Sequence, residues 1–146
     1  MNPIRRILYP TDFSDPSKQA LDAAVSLAEA FGAEVFLIHV VQALPHLTPS
    51  AAYAFDVPEY ERLLRLDAQK QLSELAATLP KKIKTHEIVA HGDPADGILK
   101  AVQENQIDLV VIATAGLRGF RHALFGSVAE KVVRTSSCPV LSIRKT

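Results

Sequence analysis

Leu109-Val110-Val111-Ile112-Ala113-Thr114-Ala115-Gly116 and, ten residues on, Gly126-Ser127-Val128-Ala129-Glu130-Lys131-Val132-Val133 decide how this chain is read. The first run is aliphatic at nearly every position, as a strand covered on both faces is. The second is amphipathic and opens with Gly-Ser, as the start of a helix does. Gly116 opens the segment between them, which carries Arg118, Gly119 and Arg121. A buried strand feeding a glycine-bearing loop and then a helix lets main-chain N–H groups approach a ligand closely. The N-terminus of the following helix favours an anion. This is the hardware of a phosphate site.

The same alternation runs along the rest of the chain. Residues 4–9 read as a first strand stopped by Pro10, and Ser14 or Asp15 caps a helix with Pro16 in its first turn. Ala20, Leu21, Ala24, Leu27, Ala28 and Phe31 recur at helical spacing until Gly32. Residues 34–41 are a second, almost wholly apolar strand. Residues 42–56 carry Pro45 and Pro49 without a period and read as a long loop of the kind that often covers a site. Leu64, Ala68, Leu72, Leu75 and Leu79 mark a core-facing helix ended by Pro80. Residues 83–90 are polar enough for a sheet edge. Gly92-Asp93-Pro94 opens a helix containing Ile98, Ala101 and Val102, residues 107–113 form the fourth strand, and 138–144 the last. Five strands alternating with four helices predict a parallel, doubly wound sheet with helices on both faces. The strand order 3-2-1-4-5 makes the first and fourth strands neighbours. It brings the ends of strands one, two and four to one cleft beyond their carboxyl ends.

Composition narrows the function. With 146 residues, 16 Lys+Arg against 16 Asp+Glu, and a single cysteine (Cys138), the sequence reads as one domain, residues 1–146. It offers no basic surface for nucleic acid, no disulfide framework and no apolar stretch of membrane-spanning length, so a cytoplasmic location is expected. His39, His46, His86, His91 and His122 show no metal-ligand spacing. Neither G-x-G-x-x-G nor G-x-x-x-x-G-K-S/T occurs, which excludes a dinucleotide fingerprint and a P-loop. The glycines fall at the fourth junction instead, so a phosphate chain is expected against Gly116, Gly126 and Ser127. Asp12 would face ribose hydroxyls or a magnesium ion shared with phosphates, or else cap the first helix. Ser127 would bind phosphate, cap the last helix, or do both. Val40 would offer main-chain N–H and C=O groups to the edge of a base.

These residues together resemble the universal stress protein family, over essentially the whole length. Ile7-Leu8-Tyr9-Pro10-Thr11-Asp12-Phe13-Ser14 is similar to the family's first strand and loop, and Cys138-Pro139-Val140-Leu141 to its ending. The ATP-binding branch carries G-x2-G-x9-G-S/T. Here that signature falls on Ala113, Gly116, Gly126 and Ser127, with alanine in place of the first glycine. The resemblance implies a Rossmann-like adenine nucleotide-binding fold. It implies base and ribose contacts from Pro10, Thr11, Asp12 and Val40, and phosphate contacts from Ala113, Gly116, Gly126, Ser127 and Val128. The implied ligand is ATP, with magnesium reached through Asp12. A homodimer through Val140, Leu141 and Ile143 is also implied, as an apolar edge strand favours. The function expected is an ATP-binding, stress-responsive regulatory or interaction module rather than an enzyme. The alternatives are a slow magnesium-dependent ATPase or phosphotransferase, and a nucleotide-free dimeric interaction protein.

Overall fold

The computed structural model describes residues 2–42, 56–114 and 126–144. The long loop expected after the second strand, and Gly116, Arg118 and Arg121, lie outside the described residues. In chain order the elements are β1 (Arg6–Pro10), α1 (Asp15–Phe31), β2 (Glu34–Val41), α2 (Val57–Ala76), β3 (Thr85–His91), α3 (Pro94–Glu104), β4 (Leu109–Ala113), α4 (Ser127–Thr135) and β5 (Val140–Ile143). The five strands pair in the order β3-β2-β1-β4-β5, every neighbouring pair parallel. This is the expected fold class and order.

Side-chain alternation along the strands builds a core on each face of the sheet. Ile7 and Tyr9 of β1, Val35 and Leu37 of β2 and Val111 of β4 pack under α1 (Ala20, Leu21, Ala24, Ala28) and Leu72 of α2. Leu8, Phe36, Ile38, Val110 and Ile112 point the other way, beneath Ala95, Ile98, Ala101 and Val102 of α3 and Ala129 and Val132 of α4. Ile7, Leu8, Tyr9, Val110 and Val111 are fully buried, because β1 and β4 are central and covered on both sides. At the amino ends of the strands, Asp108 accepts the N–H groups of Arg5 and Arg6, each at 2.9 Å, and sets the stagger of β4 against β1.

Several boundaries differ from those the sequence suggests. Helix α2 begins at Val57, well before Leu64, because Asp56 accepts the Glu59 N–H at 3.1 Å and Pro58 sits in the first turn. Its early turns are largely exposed and show no apolar period. It ends at Ala76, and tighter turns closed by Thr78 N–H to Leu75 O and Leu79 N–H to Ala76 O precede Pro80. Strand β3 starts at Thr85, since Ile83 N–H is bonded to Pro80 O in a turn. Strand β4 starts at Leu109, after Ile107 has closed the end of α3 by bonding its N–H to Val102 O. Strand β5 starts at Val140, after Cys138 N–H has bonded to Ser136 Oγ. Helix α1 begins after Ser14 as expected, and Gly32 closes it in a left-handed conformation (φ 65°).

Helix α3 lies close on β2 at one glycine. A Cβ built on Gly97 would stand 2.9 Å and 3.2 Å from the two γ-methyls of Val40. Val40 is itself buried on the sheet and cannot swing aside cheaply. Gly97→Ala gains about 1 kcal/mol of helix propensity but forces this contact, at about 1–3 kcal/mol. We therefore expect net destabilisation by urea unfolding. Combining it with Val40→Ala should relieve the clash, so that the two substitutions are non-additive.

Candidate functional site

At the carboxyl end of β1 the chain turns through Thr11, Asp12, Phe13 and Ser14 before α1. Hydrogen bonds of one consistent direction fix this turn. Phe13 N–H donates to Thr11 Oγ1 at 2.9 Å. Ser17 Oγ donates to Ser14 O at 2.7 Å, so in the 3.0 Å contact between the two hydroxyls Thr11 is the donor and Ser17 the acceptor. The Tyr9 hydroxyl donates to Ser17 O at 2.6 Å, and burial pushes its pKa above the ordinary phenol value. Thr11, Ser14 and Ser17 are buried, and each has its partner.

Asp12 Oδ1 accepts both the N–H (3.0 Å) and the hydroxyl of Ser14. Asp12 is therefore not the cap residue of α1; that position is held by Ser14. Its carboxylate closes a local turn at the mouth of the crevice. Phe13 adopts a positive φ of 64°, which turns the chain sharply. Its ring lies against that of His39, with centroids 4.6 Å apart and the planes tilted by 30°. His39 Nδ1 lies 2.8 Å from Thr11 O. A carbonyl only accepts, so Nδ1 carries the proton.

Beyond this turn lies a cavity of about 550 Å³, within the size range of small-molecule sites. Pro10, Thr11, Asp12, Val40, Ala113, Gly126, Ser127 and Val128 all line it. The chain thus gathers every described residue of the expected set into one crevice; Gly116 is outside the described residues. Gly126 is the N-cap residue of α4, and Ser127 its first residue rather than its cap. Gly126 N–H bonds to Thr114 O at 2.5 Å. A Cβ on Gly126 would sit 3.2 Å from that same oxygen, so a larger residue there would press on the Thr114 carbonyl. Ala113 ends β4. Among the described residues only Phe13 and Gln106 are non-glycines with positive φ, so the methyl that replaces the signature glycine brings no backbone strain. Lys131 ties α4 to the start of α3 through Asp96 at 2.8 Å and Asp93 at 3.6 Å. Its pKa is raised, chiefly by the hydrogen bond to Asp96.

The sequence reading missed one wall. Leu64, Asp67, Ala68 and Gln71 of α2 line the cavity, with Gln71 Nε2 donating to Asp67 Oδ2 at 2.7 Å. Phe13 and His39 were missed as well. His91 lies 3.4 Å from Glu61 and braces β3 against α2. Among the described residues no group of three or more His, Cys, Asp or Glu side chains is arranged to hold a metal. No helix among them is long and apolar enough to cross a membrane.

The model of the universal stress protein family matches residues 3–144. This chain belongs to the universal stress protein family. Universal stress protein MJ0531 of Methanocaldococcus jannaschii is 33% identical over 145 residues, covering 99% of this chain and 84% of that protein. The solved structure of MJ0577, from the same organism, is 25% identical with a TM-score of 0.85, covering 99% of each chain. A universal stress protein solved in complex with cAMP shares the fold at 24% identity and a TM-score of 0.69, covering 99% of this chain and 100% of that one.

The hydrogen-bonded turn makes a direct prediction for this universal stress protein. Ser17→Ala removes the acceptor of the Thr11 hydroxyl and leaves that O–H donor buried and unpaired, with only the Phe13 N–H bond to its oxygen remaining. Urea denaturation should show a loss of about 1–3 kcal/mol. An unchanged midpoint would mean that the chain of hydroxyls does not hold the turn.

Proposed function

We propose that this universal stress protein is an adenine-nucleotide-binding regulatory protein, with ATP held in the crevice between the β1 and β4 ends. The single observation that carries the reading is the convergence of Asp12, Val40, Gly126 and Ser127 on one cavity large enough for a nucleotide. In this reading the base lies along the main chain of Val40 and the ribose near Pro10, Thr11 and Asp12. The phosphates lie at Ala113, Gly116, Gly126, Ser127 and Val128. The main-chain N–H groups opening α4 favour an anion there. Ser127 supports this: it is the first residue of α4 rather than its cap, and it lines the cavity.

Magnesium fits as an ion shared between Asp12 and the phosphates, since it is commonly bound by one or two carboxylates together with phosphate oxygens. When bound, it would neutralise phosphate charge beside the Asp12 carboxylate. The relative solved with cAMP supports the ligand class, and the nucleotide's phosphorylation state is part of the proposal. We further propose that the protein acts in the cytoplasm as a homodimer joined through β5. That strand is an edge of the sheet, and its Leu141 is exposed. The occupied crevice would bias that contact or a partner surface.

Titration of the purified protein should give saturable ATP binding at sub-millimolar nucleotide; none at millimolar ATP removes the reading. Ser127→Ala should weaken ATP by about 1.5–3 kcal/mol, the worth of a hydrogen bond to a charged group, with little change in melting temperature. Chelating magnesium and Asp12→Asn should each weaken ATP binding. Their effects should not add if Asp12 acts through the ion.

A further inference from the structure

The alternation of β2 shows which of its main-chain groups meet β1. Glu34 N–H bonds to Arg5 O and Ile38 O accepts Thr11 N–H at 2.9 Å, whereas Val35 N–H bonds to Lys84 O and Val41 O accepts Gly92 N–H on the β3 side. Even-numbered residues of β2 therefore face β1, and Val40 is one of them. A ladder continued by one more step would pair Val40 N–H with Thr11 O, and Val40 O with Phe13 N–H. Neither bond forms. Thr11 O is taken by His39 Nδ1 at 2.8 Å, and Phe13 N–H by Thr11 Oγ1 at 2.9 Å. Two side chains occupy the two groups that would have closed the ladder, and Val40 lines the cavity beside them.

We propose that His39 and Thr11 are positioning residues that interrupt the β1–β2 ladder. They hold the Val40 N–H and C=O open as an adjacent donor–acceptor pair that selects the edge of the base. The selectivity half rests on the nucleotide reading above; the ladder half is a property of the free protein. Adenine presents an acceptor at N1 beside a donor at its exocyclic amine, matching an N–H beside a C=O. Hypoxanthine presents a donor at N1 beside an acceptor at O6, which reverses the order and leaves buried groups unpaired. Phe13 contributes too, because its tilted ring contact with His39 packs beside the ring that donates to the Thr11 carbonyl.

The test is amide hydrogen exchange by NMR on the nucleotide-free full chain, together with ATP and ITP titrations. In the wild type, Val40 N–H should exchange at least about tenfold faster than Ile38 N–H, which lies within the ladder. Saturating ATP should slow it, and ATP should bind about tenfold or more tighter than ITP. His39→Phe keeps a ring against Phe13 and removes the donor. Thr11 O is then free for Val40, whose amide should become protected without nucleotide while the ATP/ITP ratio collapses toward one. His39→Asn, which restores a nearby N–H donor, should recover both. A residue that merely stabilised the fold would lower the melting temperature and move neither readout. Should His39→Phe not fold, Thr11→Val frees Phe13 N–H for Val40 O, and loss of ATP/ITP discrimination is again expected. A wild-type Val40 amide as protected as Ile38, with ATP binding intact, overturns this inference alone. A fast Val40 amide in a protein that binds neither nucleotide overturns the nucleotide reading, and the selectivity half with it.

Discussion

Strand β1 stops before its neighbour does. Its last residue, Pro10, pairs with Ile38, and β2 runs on to Val41. On the other side β4 continues to Ala113 after its last pairing with β1 at Val110. The chain leaves β1 for α1 on one face, and leaves β4 toward α4 on the other. A central strand that ends before both neighbours do, with helices diverging to opposite faces, opens a crevice where the strand order reverses. All other features of the site depend on that shortfall: the turn after β1 borders it, α2 walls one side, and the start of α4 closes the far end.

Holding such a crevice open requires that the polar groups around it be satisfied without bridging it. The hydroxyls of Thr11 and Ser17, the ring of His39 and the carboxylate of Asp12 do this by bonding to the turn's own backbone. Glycine plays the complementary part at the α4 end, where Gly126 lets the helix start against the Thr114 carbonyl. Lys131 then fixes α4 against the acidic start of α3. The arrangement is fixed by short-range hydrogen bonds, close packing and this ion-paired lysine.

Much of this was legible in the sequence. The apolar run 109–112, the glycine at Gly32 and the helix-opening Ser14 and Asp93 each encode local physics that tertiary contacts did not override. They sufficed for element order and fold class, and the spacing of Ala113, Gly126 and Ser127 marked residues that line the cavity. What escaped has physical reasons. Asp67 and Gln71 flank a leucine stripe, and a hydrophobic period reports only the face that meets the core. The early start of α2 was signalled by Asp56 and Glu59 at capping spacing, but no apolar period accompanies it. His39 gains its role from Thr11, 28 residues away, and nothing local in an aliphatic strand distinguishes such a histidine from a packed one.

The central claim is that the crevice at the carboxyl ends of β1, β2 and β4 receives an adenine nucleotide. A crystal structure of the protein grown with saturating ATP tests it most directly. The account predicts adenine along the Val40 main chain and phosphates at Gly126, Ser127 and Val128. A nucleotide bound elsewhere on the molecule, or a crevice left vacant at saturating ATP, would contradict it.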